Sequence, residues 1–221
     1  MTLSKPEFAA VILAAGSSTR MGTPKALLDA GGGETFLDRL AGVFIDCGCS
    51  VYAVLGREAE RVASSVRRAS DIVFVLNPDP SRGQISSLQC GLRAAAPGLA
   101  GVYFTPVDAP GVKRETVRAL RQAFGDVDYV IPAFQGLHGH PVLIRASCAE
   151  EFMNLREGVT AREVLQARRA ATRFVEVPDS AILDDIDDPE SYALWRGKTS
   201  HGTEGIQRRS CGGGSAEEPP R

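Results

Sequence analysis

No apolar run in this 221-residue chain reaches the roughly 18 residues that a membrane-spanning helix needs. The opening stretch, MTLSKPEFAAVILAAG, also lacks the form of a secretory signal. Its apolar part is short and runs straight into a Gly-Ser loop of structural character. An excess of one charge is missing too. The formal net charge is −2, which gives no general reason to expect nucleic-acid binding, although composition averages over the surface and is compatible with a local basic site. Cysteine is sparse: Cys47, Cys49, Cys90, Cys148 and Cys211 are odd in number and form no CxxC pair. Reduced, mostly structural thiols follow. These absences give an unprocessed cytoplasmic protein with no membrane and no nucleic acid among its partners. No internal repeat is visible.

What is present is an ordinary globular mixture, 43% hydrophobic and 24% charged. From about Gly197 the chain becomes poor in apolar residues and rich in Gly, Ser, Glu, Pro and Arg. That composition predicts a disordered tail over 197–221 and one domain over 1–196.

Within the domain, β-branched runs alternate with helical patterns. Residues 8–13 read as a buried strand. Thr35 can cap a helix whose apolar positions, Phe36, Leu37, Leu40, Val43, Phe44 and Cys47, follow a 3.6-residue period. Strands over 51–55 and 72–76 flank a charged helix over 58–68. Asn77-Pro78-Asp79-Pro80 is a stop, and a helix follows from Ser86 or Ser87. A strand over 101–105 and a helix over 113–124 come next. Strands over 129–132 and 141–144 flank a loop containing Gly and His. Short helices are expected over 149–155 and 161–167, then a strand over 174–177 and a helical turn opened by Pro189. This alternation predicts an α/β fold, Rossmann-like, with a mostly parallel sheet in a three-layer α/β/α arrangement. In such sheets ligands bind at the carboxyl ends of the strands, which directs attention to the loops after Leu13, Leu76, Thr105 and Pro132.

The first of those loops, within AAGSSTRMGTPK (Ala14 to Lys25), suits phosphate. Gly16 and Gly22 allow close backbone approach, exposed amides can cradle oxygens, and Arg20 and Lys25 can offset much of a triphosphate's charge. The spacing is neither that of a Walker A loop nor GxGxxG. After the fourth strand, Thr105-Pro106-Val107-Asp108-Ala109-Pro110 presents a carboxylate between prolines. Asp108 there is either a turn aspartate or a Mg²⁺ ligand, since Mg²⁺ takes one or two carboxylates plus substrate phosphates. The string Asp184-Asp185-Ile186-Asp187-Asp188-Pro189-Glu190 reads as an acidic turn before a helix with Pro at its first position. Arg82 to Leu88 offers a helix N-terminus, either capped by Ser86 or Ser87 or facing an anion. His138 and His140 are spaced for a transition metal, but no third ligand is evident nearby. No His or Ser triad is visible.

The string from Leu13 to Lys25 resembles the LAAGxSxRMGxxK signature of nucleotidyltransferases, most closely the molybdenum cofactor cytidylyltransferase-like group. The resemblance covers nearly all of residues 8–195 and implies a nucleotide-diphospho-sugar transferase-like fold. It implies that Arg20 and Lys25 hold the triphosphate, with Leu13, Ala14, Ala15, Gly16 and Ser17 around the nucleotide. The family's G-x-x-x-S-L string is matched by Gly83, Ser87 and Leu88, which implies contact with the base. Its PVDxP aspartate is matched by Asp108, as a Mg²⁺ ligand. A DIDTPEDY-like string, matched at 185–192 with Asp188 and Ser191 departing from it, makes Asp187 the second ligand and Asp185 the next candidate. GHP, matched by Gly139, His140 and Pro141, lies on the acceptor side, and a loose match to GDxGAR adds Arg162 there without the aspartate.

The implied activity is Mg²⁺-dependent transfer of CMP from CTP to molybdopterin or the molybdenum cofactor, releasing pyrophosphate, with Arg20, Lys25 and Asp108 catalytic. CTP is favoured because Ala14-Ala15-Gly16-Ser17 is similar to the cytidylyl branch. A guanylyltransferase and a sugar-phosphate nucleotidyltransferase are the alternatives. From another class, a non-catalytic nucleotide-binding partner in molybdoenzyme maturation would share the same loop.

Overall fold

Strand β1 (Phe8–Ala14) shows why the chain folds in layers. Its side chains alternate between two cores, with Phe8, Ala10 and Ile12 on one face and Ala9, Val11 and Leu13 on the other. A strand apolar on both faces must be covered on both. The computed structural model describes residues 7–16, 18, 20–95 and 97–201, with 199–201 as backbone. After β1 come β2 (Asp29–Gly31), β3 (Glu34–Thr35), α1 (Phe36–Asp46), β4 (Cys49–Leu55), α2 (Ala59–Ser65) and β5 (Ile72–Leu76). Next are α3 (Gln84–Ala94), β6 (Gly101–Pro106), α4 (Arg114–Phe124), β7 (Tyr129–Phe134), β8 (Leu137–His138) and β9 (Val142–Arg145). The chain continues through α5 (Ala149–Met153), α6 (Ala161–Ala167), β10 (Thr172–Glu176) and α7 (Pro189–His201).

The main sheet has the order β10-β7-β9-β6-β1-β4-β5, with β8 paired to β7. Its pairings are parallel except those of β9 and β8. Residues of α1, α2, α4 and α7 pack on one face, and residues of α3, α5 and α6 on the other. This is the expected three-layer arrangement with a mostly parallel sheet. From β1 the chain builds outward through β4 and β5, then returns to place β6 on the other side of β1. The reversal leaves a crevice at the carboxyl ends of β1 and β6, where such sheets bind ligands.

Local chemistry fixes the ends of elements. Thr35 caps α1 as expected: the Asp38 amide donates to Thr35 Oγ1 at 3.1 Å, and the Thr35 amide donates to Asp38 Oδ2 at 3.1 Å. The other oxygen of this buried aspartate accepts the Arg68 amide at 3.0 Å, tying α1 to the connection before β5. Helix α3 begins at Gln84, two residues before the earliest expected start, with Gly83 at φ 85° as its N-cap. The expected hydroxyl caps are engaged elsewhere. Ser86 and Ser87 Oγ accept from Asn77 Nδ2 at 2.9 and 3.0 Å. The hairpin of β2 and β3 and the two-residue β8 are too short to show alternation and were not anticipated.

Helix α7 runs to His201, across the expected domain end at 196 and into the first residues of the tail expected to be disordered over 197–221; the rest of that tail, 202–221, lies outside the described residues. Cys47, Cys49, Cys90 and Cys148 are free thiols, and Cys211 lies outside the described residues. Burial pushes the Cys49 thiol up to about 11, which suits a packing role. Among the described residues no helix is long and apolar enough to cross a membrane.

Candidate active site

The crevice is bounded first by the loop leaving β1. The Val107 amide donates to the Leu13 carbonyl at 3.1 Å, so the β1 and β6 loops start side by side. Ser18 takes φ 46°, its carbonyl accepts the Met21 amide at 3.0 Å, and its hydroxyl accepts the Lys25 amide at 3.0 Å. The loop is thus folded on itself and turns the Lys25 side chain back over the strand ends. Ser17 lies outside the described residues.

The acidic string forms a strap over the same crevice. The Ile186 amide donates to the Asp108 carbonyl at 3.1 Å, and the Ile186 side chain is only 2% exposed. Asp184 is pinned on the inner side by a hydrogen bond with the Trp195 side chain. Asp185 and Asp187 alternate with these two inward residues and so face the cleft. Carboxylate oxygens of Asp108, Asp185 and Asp187 all lie within 4.8 Å of one another. Asp185, the second choice from sequence, therefore joins the pair.

Two cations meet these acids. Lys25 Nζ donates to Asp108 Oδ2 at 2.9 Å and also to Asp187 Oδ1. Arg20 donates to Asp187 Oδ2 at 3.2 Å. The Lys25 side chain is 14% exposed and that of Asp108 19%, so these charges interact in a partly desolvated setting. Burial pulls the Lys25 pKa down, but the bonds to Asp187 and Asp108 outweigh it and the net shift is upward. The bond from Lys25, followed by the charges of Lys25 and Arg20, holds Asp187 below the usual carboxylate range. Asp185 is pushed up by burial and then by the negative charges of Asp108 and Asp187. Three carboxylates against two cations leave the cluster short of positive charge.

The far wall is the start of α3. Asn77 is 3% exposed, and its amide is donated to the Oγ atoms of Ser86 and Ser87. Gly83 and Ser87 are thereby held facing the β1 loop. The cleft, of about 360 Å³, is lined by Leu13, Ala14, Ala15, Gly16, Ser18, Arg20, Lys25, Gly83, Ser87, Asp108 and Asp187, together with Pro80, Gln84, Pro106 and Val107. Its size is that of a small-molecule site. Every described residue expected at the nucleotide or metal lines it except Leu88 and Asp185, the second of which adjoins it through Asp108 and Asp187.

Leu88 belongs to a second, adjoining hollow of about 250 Å³ that shares Leu13, Gly83 and Gln84 with the first. Its walls are largely apolar, from Leu13, Ile85, Leu88, Phe104 and Val159, with His140 and Thr160 among the polar groups. The His140 imidazole bonds to the Phe104 backbone, and burial pushes its pKa down to about 4. Its Nδ1 is buried with no hydrogen-bond partner among the described residues. The Gly139 backbone lies so close to the turn before the strap that a Cβ there would be 2.1 Å from the Ile182 carbonyl oxygen. Arg162 is exposed and lines neither hollow, because Thr160 caps α6 through Glu163 and sends Arg162 outward.

Asn77, Pro80 and Phe104 were missed as site residues, and Gln84 was read only as part of the string from Arg82 to Leu88. Asn77 and Pro80 carried only a turn signal, and Phe104 is brought in by long-range packing.

A family model, the MobA-like NTP transferase domain, matches residues 10–172. The chain is 27% identical over 185 residues to the molybdenum cofactor cytidylyltransferase of Escherichia coli (strain K12), covering 82% of this chain and 92% of that protein. It is 36% identical over 124 residues to a probable molybdenum cofactor guanylyltransferase of Rhodopirellula baltica, covering 54% of this chain and 56% of that protein, little more than half its length. Among solved structures, Rv0371c of Mycobacterium tuberculosis H37Rv, in complex with manganese, matches with TM-score 0.72 at 23% identity, over 87% of this chain and 98% of that one. Structural neighbours of this kind place the chain in the nucleotide-diphospho-sugar transferase fold. With a matched domain spanning most of the sheet and the cleft, the chain belongs to the MobA-like NTP transferase domain family.

Proposed function

We propose that the cleft transfers a nucleotidyl group from a nucleoside triphosphate, CTP in first place, to a phosphorylated acceptor of the molybdopterin type, with Mg²⁺ and with release of pyrophosphate. One observation carries this reading. Lys25 and Arg20 meet Asp108 and Asp187 at the carboxyl ends of β1 and β6. The cations suit a polyphosphate and the carboxylates a divalent ion.

The donor set fits the metal. Carboxylate oxygens are hard ligands of the kind Mg²⁺ and Mn²⁺ take, and Lys25 Nζ already sits among them as a cation. Asp108 and Asp187, with Asp185 beside them, would hold the ion. When bound it would neutralise charge on the reacting phosphates.

The chain's own groups do the rest. Loop amides around Gly16, with Arg20 and Lys25, grip the triphosphate. An oxygen of the acceptor phosphate attacks the α-phosphorus, the bond from that phosphorus to the β-bridging oxygen breaks, and pyrophosphate leaves. A phosphate is already ionised near neutral pH, so no strong general base is needed. Alignment and charge neutralisation are then the main sources of rate. The adjoining hollow suits the acceptor: its apolar walls accept a flat ring system, with Thr160 and Arg82 as polar groups at its edge.

The choice of CTP rests on Ala14-Ala15-Gly16, and relatives of both the cytidylyl and guanylyl branches resemble the chain. The test is pyrophosphate release from CTP, GTP and ATP with Mg²⁺, with and without molybdopterin-type acceptor. Acceptor-dependent release with CTP is expected. Release with GTP alone would move the chain to the guanylyl branch. Tight nucleotide binding without release, across a panel of phosphorylated acceptors including sugar phosphates, would sink the enzymatic reading in favour of a binding protein.

A further inference from the structure

Lys25 is bonded to two of the three clustered carboxylates, Asp108 and Asp187. Its ammonium already neutralises the carboxylates that a divalent cation would bind. A divalent ion held by the same acids would lie close to that ammonium, and at such range the two cations repel each other strongly. The lysine is well held. Its stem is mostly buried, its backbone amide is tied to Ser18 Oγ at 3.0 Å, and Asp187 is also gripped by Arg20 at 3.2 Å. A triphosphate in the cleft offers both cations a richer anion, because Lys25 and Arg20 line the same wall as the β1 loop.

We infer that Lys25 is a built-in counter-cation that bars the metal position until a triphosphate takes up its ammonium, so that the divalent ion enters with or after the nucleotide and not before it. The inference rests on the reading of Asp108 and Asp187 as the metal ligands of a nucleotidyl transferase. Its physical content is a coupling between two ligands through one side chain. Whatever draws Lys25 off the carboxylates raises metal affinity, and bound metal raises triphosphate affinity by the same factor. The device also prevents a metal ion from settling in a cleft that holds no substrate.

The test is Mn²⁺ binding to the full chain without nucleotide, followed by loss of the free-ion electron paramagnetic resonance signal. Relative to the parent, K25Q is expected to bind Mn²⁺ about tenfold more tightly or better. K25R, which keeps the charge, should bind as weakly as the parent, and D108N/K25Q should return to weak binding. A K25Q affinity no higher than the parent's, with D108N lowering both, overturns the inference while the metal reading stands. Enhanced binding that survives D108N/K25Q also overturns it, because the ion then lies elsewhere. No Mn²⁺ binding by any variant removes the metal reading and the inference together. Circular dichroism checks folding, and K25M gives the same comparison if K25Q does not fold.

Discussion

Asp108 and His140 show how much a single side chain can be asked to explain. Asp108 combines a carboxylate held at the end of β6, a bond from Lys25 and two neighbouring acids. Asp108→Asn keeps the shape and removes the charge. Turnover should fall by about a thousandfold or more, while the circular dichroism spectrum is unchanged. Near-normal turnover would remove Asp108 from the chemistry. His140 makes a claim about pH. Burial depresses its pKa to about 4, below the ordinary value of 6.5, so the fold favours the neutral ring. The stabilisation is fully present above pH 6.5 and is lost as pH falls toward 4. At its largest it is about 3 kcal/mol. Urea midpoints measured from pH 7 to pH 4.5 should fall less steeply for His140→Gln than for the parent. Parallel slopes would mean that the ring is not held neutral by the fold.

At the scale of elements, the site depends on two pieces, each set in place by a buried residue outside the cleft. The start of α3 is set by buried Asn77, which donates to Ser86 and Ser87 and accepts the Asp79 amide at 3.0 Å. Asn77→Ala should cost about 1–3 kcal/mol of stability and also weaken nucleotide binding, because Gly83 and Ser87 lose their support. Titration of CTP against urea stability separates the two effects. The strap is set by Ile186, packed in the core while Asp185 and Asp187 face out. Ile186→Ala should cost about 2–5 kcal/mol and weaken Mn²⁺ binding in the presence of nucleotide. Intact metal binding would show that the strap is held by its other ties.

These two elements also mark where the sequence could be read and where it could not. The helix from Phe36 was legible because its apolar period and Thr35 cap are local. The buried alternation of residues 8–13 was legible for the same reason. The grouping of Gly16, Arg20 and Lys25 on one cleft could be read because these residues are close in sequence. Asp187 was reached only through resemblance, since its pairing with Lys25 and Arg20 joins the two ends of the fold. Asp185 was underrated because nothing local says that Ile186 turns inward. Asn77 was read as part of a turn, although its side chain shapes the site through a helix it precedes.

Across the whole molecule, topology creates the site. The return of the chain to place β6 beside β1 brings the loop after β1 to Asp108, and α7 closes the arrangement. Phe36 of α1 meets Trp195 of α7 edge-on with ring centroids 4.9 Å apart, and Asp184 bonds to the same tryptophan. The end of the domain therefore anchors the acidic strap. Three carboxylates and two cations converge on one site from early, middle and late in the domain. That charge pattern has a purpose if a metal-bound triphosphate completes it, and the central claim is that its α-phosphate is what moves. The direct measurement is label transfer from CTP, carried either at the α- or at the γ-phosphate, to a molybdopterin-type acceptor with Mg²⁺. The expected result is α-label on the acceptor, matched one to one by pyrophosphate and lost with Asp108→Asn; γ-label on the acceptor, or α-transfer undiminished by Asp108→Asn, would rule out nucleotidyl transfer at this cleft.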